Sequence, residues 1–342
     1  MAADAATLRD PLAVAEAIAE WAASRFEGRV AVAGASMLTG GFDNFVHAFR
    51  LDGATLPPEW RAELVVRVSP SDGRGADART ETEIQNWCVA SGYPAARVLA
   101  LLEHDWSLGR TAQIAERAPG TTMLDAMTSS PTRIPALIRR LAELHAQLHE
   151  LPVGSWPAPD AHGFAAARRL SVVRTRVENG DMEIGRVLAR VERALDGLAP
   201  ASEVACHGDF HPLNVIVDAT GGAVVIDWTD AALDDRHSDI ARTTALLRSA
   251  AIAGGSSVER VLLAAVGPVL AFGYLRAYRR LLPVDRDRLR RWEAVHLVNG
   301  WALIASLGDP GLESASAGQT FPKWVFRALQ RRLDRALRHV GA

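Results

Sequence analysis

The chain has 342 residues, of which 49% are hydrophobic and 23% charged, and its formal net charge is −2. This length can bury one large core or two modest ones, and the near-neutral charge excludes a general electrostatic attraction to nucleic acid or anionic membranes. We expect a cytoplasmic protein, because no apolar run could span a bilayer, no secretory signal is visible, and the two cysteines give no disulfide framework.

The first part of the chain is rich in predicted strands. Asp10 and Pro11 are typical of a helix N-terminus, and alternating or β-branched apolar runs follow. The predicted elements are, in order, a capped helix from Pro11, strands over 30–37, 45–51 and 64–68, a helix over 79–90, and strands over 97–102 and 111–118.

Helices dominate after Pro119 and Gly120. They are predicted over 134–150, 185–198, 239–253, 258–282 and 324–339, and a β-hairpin of runs 215–217 and 223–226 interrupts them. The order predicts an α+β fold of two lobes. The small β-rich N-lobe would be 1–117, and the larger, mainly helical C-lobe would be 118–342, including a loop and hairpin at 206–230.

The loop and hairpin carry the residues suited to chemistry. Asp209 and Asn214 precede the first hairpin strand, and Asp227 follows the second. A hairpin brings its two ends together, so these three side chains are expected to converge. One carboxylate base and two hard-oxygen metal ligands at this spacing are typical of metal-assisted phosphoryl transfer.

The pattern His207-Gly-Asp209-x-His211-x-x-Asn214, followed by Ile-Asp227-Trp228, resembles the aminoglycoside phosphotransferase and choline kinase superfamily. Its members are protein-kinase-like kinases of small molecules. The resemblance implies that Asp209 takes up or orients the acceptor's hydroxyl proton. It also implies that Asn214 and Asp227 hold Mg²⁺ ions that bridge the phosphates of ATP or GTP. The alternative is that Asp209 and Asn214 simply cap turns.

The resemblance extends from Gly40 to about Arg242 and implies further nucleotide-binding residues. Gly40, Gly41 and Asn44 resemble the turn over the phosphates, although a Gly-Gly pair is also a common hairpin turn. Four residues resemble the hinge that meets the adenine edge: Gln113, Ile114, Ala115 and Glu116.

Arg67 stands where the family frequently has a lysine. Glu81 resembles the helix carboxylate that pairs with this cation, with Glu83 as the second choice, and acidic residues also suit a first helical turn. Arginine is always charged and binds phosphate or carboxylate through two donors, whereas lysine acts as a compact point charge. Arg67 could therefore hold both Glu81 and the phosphates.

Asp239 resembles the buried carboxylate that braces the catalytic loop in this family, although a helix N-cap is also consistent with its position. His145 and His149, four residues apart, offer a possible zinc pair, as do His207 and His211 near Cys206. A structural zinc site normally has two clear ligand pairs, so zinc is disfavoured at both places.

The sequence therefore predicts an enzyme that transfers the γ-phosphate of ATP or GTP to an alcohol group. The alternatives are a nucleotide-binding pseudokinase or regulatory protein and a protein-serine kinase. The complete set of Asp209, Asn214 and Asp227 argues against the first, and the short connection after Asp227 argues against the second.

The acceptor is expected to be a small molecule, with no nucleic-acid or membrane partner, and the sequence does not specify the oligomeric state. An aminoglycoside-type molecule, another hydroxylated metabolite or antibiotic, and a choline- or sugar-like molecule remain open. Asp230, Asp234 and Asp235 follow the metal-binding aspartate. However, 14 lysines and arginines against 6 aspartates and glutamates from Arg260 onward give no support for a polycation pocket.

Overall fold

The computed structural model describes residues 2–38, 44–70, 75–104, 106–158, 164–196, 198–199, 201–248, 257–306 and 323–339. The strands are β1 Ala31–Met37, β2 Phe45–Asp52, β3 Leu64–Val68, β4 Val98–Leu102, β5 Ala112–Glu116, β6 Thr121–Thr122, β7 Glu203–Cys206, β8 Val215–Val217, β9 Ala223–Val225 and β10 Ala232–Asp235. The helices are α1 Ala5–Arg9, α2 Pro11–Arg25, α3 Gly75–Ala90, α4 Met123–Ser129, α5 Ile134–His149, α6 Phe164–Glu178, α7 Met182–Asp196, α8 Arg236–Arg248, α9 Ser257–Tyr278, α10 Arg286–Ser306 and α11 Lys323–His339.

The chain divides into two compact units. The sheet unit contains Met1–Gly120, Trp156–Ala158 and Ile216–Thr229, and the helical unit contains Thr121–Ser155, Pro159–Val215 and Asp230–Ala342. Within the described residues, no helix combines the length and apolar character that crossing a membrane requires.

The sheet unit is built on an antiparallel five-stranded sheet in the order β1-β2-β3-β5-β4. Its core forms between one face of the sheet and α2, which begins as predicted: Asp10 caps it by accepting from the Leu12 amide, and Pro11 stands at the first turn. Burying side chains such as Ile18 and Phe49 contributes about 1.5–3 kcal/mol each.

The hairpin of β8 and β9 clusters with the sheet unit. The Val225 amide donates to the Pro94 carbonyl at 2.7 Å, and Trp228 is buried edge-on against Tyr93 at a centroid distance of 5.7 Å. The turn between the strands is closed by Asp218, whose carboxylate accepts from backbone amides within the turn. The predicted hairpin is confirmed.

The helical unit forms around α5, α8, α9 and α10, and a short antiparallel pair of β7 and β10 joins it. The buried residues of α5 recur every three or four positions, which gives this helix one apolar face: Leu137, Leu141, Leu144 and Leu148. That periodicity is why its bounds agree with the predicted helix 134–150.

Four described helices were not predicted: α1, α4, α6 and α10. Helix α10 packs against α6, α7, α8 and α11, so its apolar residues face several directions and no single stripe marks it in the sequence. Helix α8 begins at Arg236 rather than at Asp239, because Asp235 caps it by accepting from the His237 amide at 2.9 Å. Asp239 is therefore not the N-cap of this helix.

A side chain at Gly120 is expected to destabilise the sheet unit. Its φ is 112°, and an added Cβ would lie 2.1 Å from the Val217 carbonyl oxygen. We expect Gly120→Ala to lower the free energy of unfolding by about 3 kcal/mol, from backbone strain and steric overlap together. Urea denaturation measures this change.

Gly221→Ala is the matched control, because Gly221 has a φ of 93° but no atom within 4 Å of an added Cβ. It should lower the free energy of unfolding by only about 1 kcal/mol, the strain of the positive φ. Equal losses in the two variants would refute a close approach at Gly120.

Candidate functional site

Arg67 projects from the face of β3 opposite the core, because alternate residues of this strand are buried. Its Nη2 donates to Glu81 Oε2 of α3, and its Nη1 donates to Asp227 Oδ1 at 3.1 Å. The guanidinium is about 20% exposed, whereas Glu81 is nearly buried. The sheet unit therefore brings together the predicted cation, its predicted carboxylate partner and one predicted metal ligand.

The charges of this trio reinforce one another. Burial alone would lower the pKa of Arg67, but Glu81 and Asp227 raise it above its ordinary value, so the side chain stays cationic. Burial raises the pKa of Glu81, as does Asp227, against the lowering by Arg67. One guanidinium thus faces two carboxyl groups, an arrangement that leaves Asp227 able to attract a further cation.

Asp227 has a positive φ of 64°, which no other non-glycine residue shares among those described. This conformation is uncommon and tends to occur at functional sites. Its Oδ1 accepts from Arg67 and from the Thr229 hydroxyl at 2.9 Å, while Oδ2 accepts no hydrogen bond from the described residues. The side chain is 46% exposed, so it presents an oxygen to solvent.

A small cleft of about 30 Å³ adjoins this trio in the sheet unit. Its lining includes Asn44, Arg67, Glu81 and Gln113, all of which the resemblance implicated, and also Thr229, which sequence reasoning did not select. Gly40 and Gly41 lie outside the described residues.

The predicted hinge residues belong to β5, a strand paired on both sides. Gln113 donates from Nε2 to the Ala78 carbonyl and the Thr82 hydroxyl of α3, so its side chain ties the strand to the helix. Ile114 and Ala115 are buried, and Glu116, at the strand end, is partly exposed. Their role in binding a base stays a prediction.

The loop that carries Asp209 is clamped by the carboxylate of Asp239 within the helical unit. The His207 amide donates to Asp239 Oδ2 at 2.7 Å, and the Gly208 amide donates to Oδ1 at 3.0 Å. The Asp239 side chain is fully buried. The predicted bracing contact is therefore present, and it uses both carboxylate oxygens.

Two histidines of α5 complete the surroundings of Asp239. His145 and His149 direct their Nε2 atoms to Asp239 Oδ2 at 2.9 and 3.4 Å, and their Nδ1 atoms accept from the hydroxyls of Tyr274 and Tyr278, each at 2.6 Å. A carboxylate can only accept, so the Nε2 atoms carry the protons. One potential metal-ligand atom from each of the two histidines and Asp239 lies within 4.8 Å of the others. Each histidine ring nitrogen is, however, engaged in a hydrogen bond.

The pKa values within this cluster follow from burial and charge. Burial would raise the pKa of Asp239, but its interactions with His145 and His149 bring it well below the ordinary value. Burial, and next the neighbouring His145, lower the pKa of His149 to about 4. The cluster thus holds an ionised carboxylate and a neutral His149 near neutral pH.

Asp209 is held by an arginine that sequence reasoning missed. Arg242 donates from Nε at 3.1 Å and from Nη2 at 2.8 Å, both to Asp209 Oδ1. Asp209 Oδ2 lies 3.1 Å from His211 Nε2. Arg242 lies one turn after Asp239 on α8, so a single helix positions both the loop backbone and the Asp209 side chain.

Asn214 is fixed beside Asp209. Its Nδ2 donates to the Asp209 carbonyl at 3.0 Å, and its Oδ1 accepts no hydrogen bond from the described residues. The helical unit thus joins Asp209 and Asn214, while Asp227 belongs to the sheet unit.

The acidic residues after Asp227 have structural partners. Asp235 accepts from His237, from the Arg288 guanidinium and from the Trp292 indole at 2.7 Å. These hydrogen bonds overcome the effect of burial and lower the pKa of Asp235. Asp234 is also buried and accepts from the Asp235 amide at 2.7 Å.

Residues 38–292 match the sequence model of the phosphotransferase enzyme family. An aminoglycoside 3'-phosphotransferase of Streptomyces fradiae is 29% identical over 209 residues, which are 58% of this chain and 75% of that protein.

Solved structures share the fold. A protein described as a putative aminoglycoside phosphotransferase of Ralstonia eutropha superposes with a TM-score of 0.62 at 17% identity, over 95% of this chain and 98% of that one. A thermostable mutant of aminoglycoside phosphotransferase APH(4)-Ia, solved with AMP-PNP and hygromycin B, gives 0.60 at 18% identity over 95% and 99%. The predicted α+β, protein-kinase-like fold is confirmed.

His149 should make stability depend on pH. Its pKa is about 4 in the folded protein and 6.5 when unperturbed, so between these values the unfolded chain binds more protons. The contribution of His149 to the free energy of unfolding is therefore complete above pH 6.5. It falls by up to about 3 kcal/mol as the pH drops to 4. We expect a shallower loss for His149→Gln, measured by denaturant unfolding at several pH values.

His104→Gln, at an exposed histidine outside the cluster, is the control and should keep the wild-type slope. Identical slopes for His149→Gln and the wild type would contradict a neutral, buried His149.

Proposed function

This chain belongs to the phosphotransferase enzyme family, and we propose that its Asp209 receives the acceptor's hydroxyl group while the residues around Arg67 hold the nucleotide. The enzyme is a kinase of small molecules, as the family and its aminoglycoside 3'-phosphotransferase relatives indicate. The position of Asp209 supports the proposal: Arg242 donates two hydrogen bonds to one of its carboxylate oxygens, and Asp239 accepts from the backbone amides of His207 and Gly208, just before it.

The role of Asp209 follows from this hold. Arg242 donates twice to Oδ1, so we place the acceptor hydroxyl at Oδ2, where it would donate a hydrogen bond next to His211 Nε2. The hydroxyl oxygen then forms a bond to the γ-phosphorus, the bond from that phosphorus to the bridging oxygen breaks, and the proton passes to Oδ2. In a loose transition state the main contribution of such a group is positioning.

Asn214 and Asp227 fit the ligand set expected for Mg²⁺. Both offer oxygen donors, which this hard cation prefers, and neither Asn214 Oδ1 nor Asp227 Oδ2 accepts a hydrogen bond from the described residues. When bound there, the metal would supply neutralisation of the phosphate charge. Asp227 is held in place by Arg67 and Thr229.

We propose ATP or GTP as the phosphate donor and Arg67 as the side chain that grips its phosphates. Arg67 has five donors in a planar fork, of which Glu81 and Asp227 take one each, so further donors remain for phosphate. A related enzyme, APH(4)-Ia, has been solved with the ATP analogue AMP-PNP. The strand residues Gln113, Ile114, Ala115 and Glu116 remain our proposal for the segment next to the base.

The proposed acceptor is a small hydroxylated molecule. The connection from Asp227 to α8 is short and includes β10, which favours a small acceptor over a protein substrate. We further propose a cytoplasmic enzyme, because Cys88 and Cys206 are free thiols. A panel of aminoglycosides, macrolides, choline and sugars, each assayed with ATP and GTP, identifies the acceptor.

Asp209→Asn is expected to abolish most of the activity. The amide cannot receive the hydroxyl proton, so kcat should fall by about 10²–10⁴-fold. Nucleotide affinity should be nearly unchanged, because the proposed role of Asp209 concerns the acceptor. Steady-state kinetics with the acceptor found in the panel, and nucleotide binding by calorimetry, measure the two effects.

Asp52→Asn, at an exposed aspartate at the end of β2, is the control and should keep wild-type kinetics. A wild-type kcat in Asp209→Asn would refute the proposed role.

Arg67→Gln is expected to weaken nucleotide binding by about 10–100-fold, because it removes one or two charge-assisted hydrogen bonds to the phosphates. Arg67→Lys should recover part of this affinity, since a point charge still attracts phosphate. Calorimetry with AMP-PNP measures both variants. Arg50→Gln, at an exposed position of β2, removes the same charge and should leave nucleotide binding unchanged. Equal nucleotide affinity in Arg67→Gln and Arg50→Gln would rule out the proposed contact between Arg67 and the phosphates.

A further inference from the structure

A second cavity lies within the helical unit, and none of the residues assigned above lines it. It has a volume of about 360 Å³, which is within the range of small-molecule sites, and side chains of α8, α9, α10 and α11 line it. Its apolar lining includes Pro268 and Leu297. The cavity is therefore large enough for a metabolite-sized ligand.

The charged lining of this cavity is strongly positive. Four guanidinium groups face one carboxylate among the described residues that form it: Arg248, Arg290, Arg332 and Arg335 against Glu293. Four positive charges and one negative charge leave three positive charges uncompensated. Clustered cations are costly unless an anion accompanies them.

Hydrogen bonding within the cavity does not remove this excess. Glu293 Oε1 accepts from Arg248 Nη1, and Arg332 Nη1 donates to the Arg248 carbonyl at 3.2 Å. Arg290 and Arg335 have no carboxylate partner within the described part of the chain. Two guanidinium groups thus remain able to bind a ligand.

The pKa of Arg332 reflects the same crowding. Burial lowers it first, and the charges of Arg248 and Arg335 lower it further, while Glu293 acts in the opposite direction. An arginine close to two others gains when an anion enters between them, because each guanidinium can donate two hydrogen bonds to a carboxylate or phosphate.

We propose that the cavity formed by α8, α9, α10 and α11 is a binding site for a small anionic ligand that carries carboxylate or phosphate groups. The ligand group belongs either to the acceptor of the kinase reaction or to a separate metabolite. Both sources share the chemistry that the arginines recognise.

Citrate, a tricarboxylate of suitable size, is the probe. The double variant Arg290→Gln/Arg335→Gln removes two positive charges from the cavity without breaking an ion pair among the described residues. We expect calorimetry to show citrate binding to the wild-type protein and at least about tenfold weaker binding to this variant. Citrate should also raise the melting temperature of the wild type more than that of the variant.

Arg331→Gln/Arg338→Gln is the matched control. Both residues lie exposed on α11 outside the cavity lining, so the same change of net charge is made without altering the site. Equal citrate affinity in the two double variants would overturn the proposal, as would binding to the wild type weaker than about 10 mM. If the cavity variant does not fold, Arg335→Gln alone serves, because this side chain is exposed.

Two further measurements separate this site from the kinase reaction. Arg67→Gln should bind citrate as the wild type does. If Arg67→Gln lost citrate binding while Arg290→Gln/Arg335→Gln kept it, the proposal would be overturned. Competition of citrate with the acceptor in steady-state kinetics would assign the cavity to an anionic group of the acceptor. Binding without competition would assign it to a separate anion. The binding result stands whether or not the proposed kinase roles hold.

Discussion

The buried carboxylate of Asp239 is the constraint on which the helical unit depends. A carboxylate removed from water is tolerated only when hydrogen bonds replace its solvation. Two backbone amides, from His207 and Gly208, and two histidines supply them. The satisfaction of one buried charge therefore fixes the backbone next to Asp209. Removing the carboxylate would leave those amides and rings without their acceptor, so stability and the position of Asp209 are coupled.

Helix α8 connects this constraint to Asp209, the proposed catalytic residue. Asp239 clamps the loop, Arg242 one turn later holds the Asp209 carboxylate, and Thr243 donates to the Phe210 carbonyl at 2.8 Å. Because a helix is stiff, these three contacts move together. In the sheet unit, Arg67 has the corresponding role, since it holds Glu81 and Asp227 through different nitrogen atoms. An arginine can make both contacts at once, which a lysine ammonium does less readily because its donors radiate from one atom.

The distribution of charge indicates which classes of acceptor to test. Asp234 and Asp235, which follow Asp227 and would suit a polycation, are buried and hydrogen-bonded. The excess of arginine toward the C-terminus, in contrast, surrounds a cavity among the last helices. The basic residues near the C-terminus, which the sequence alone would place on solvent-exposed helix faces, thus include a cluster that can bind anions. Carboxylated or phosphorylated compounds accordingly belong in any acceptor panel beside the aminoglycosides named for its relatives.

The sequence by itself determined the fold class, and it predicted which groups react. Strand alternation and the short spacing of Asp209, Asn214 and Asp227 around one hairpin are local patterns, so they can be read from the chain. Helix α10 could not be predicted from the sequence, because it buries more than one face. Only the tertiary structure decided how Asp209 is held and where the arginines meet. Arg242 is 33 residues from Asp209, and Tyr274 is 129 residues from His145. Contacts at such separations depend on the packing of helices that share no local pattern, and the packing alone brings those side chains together.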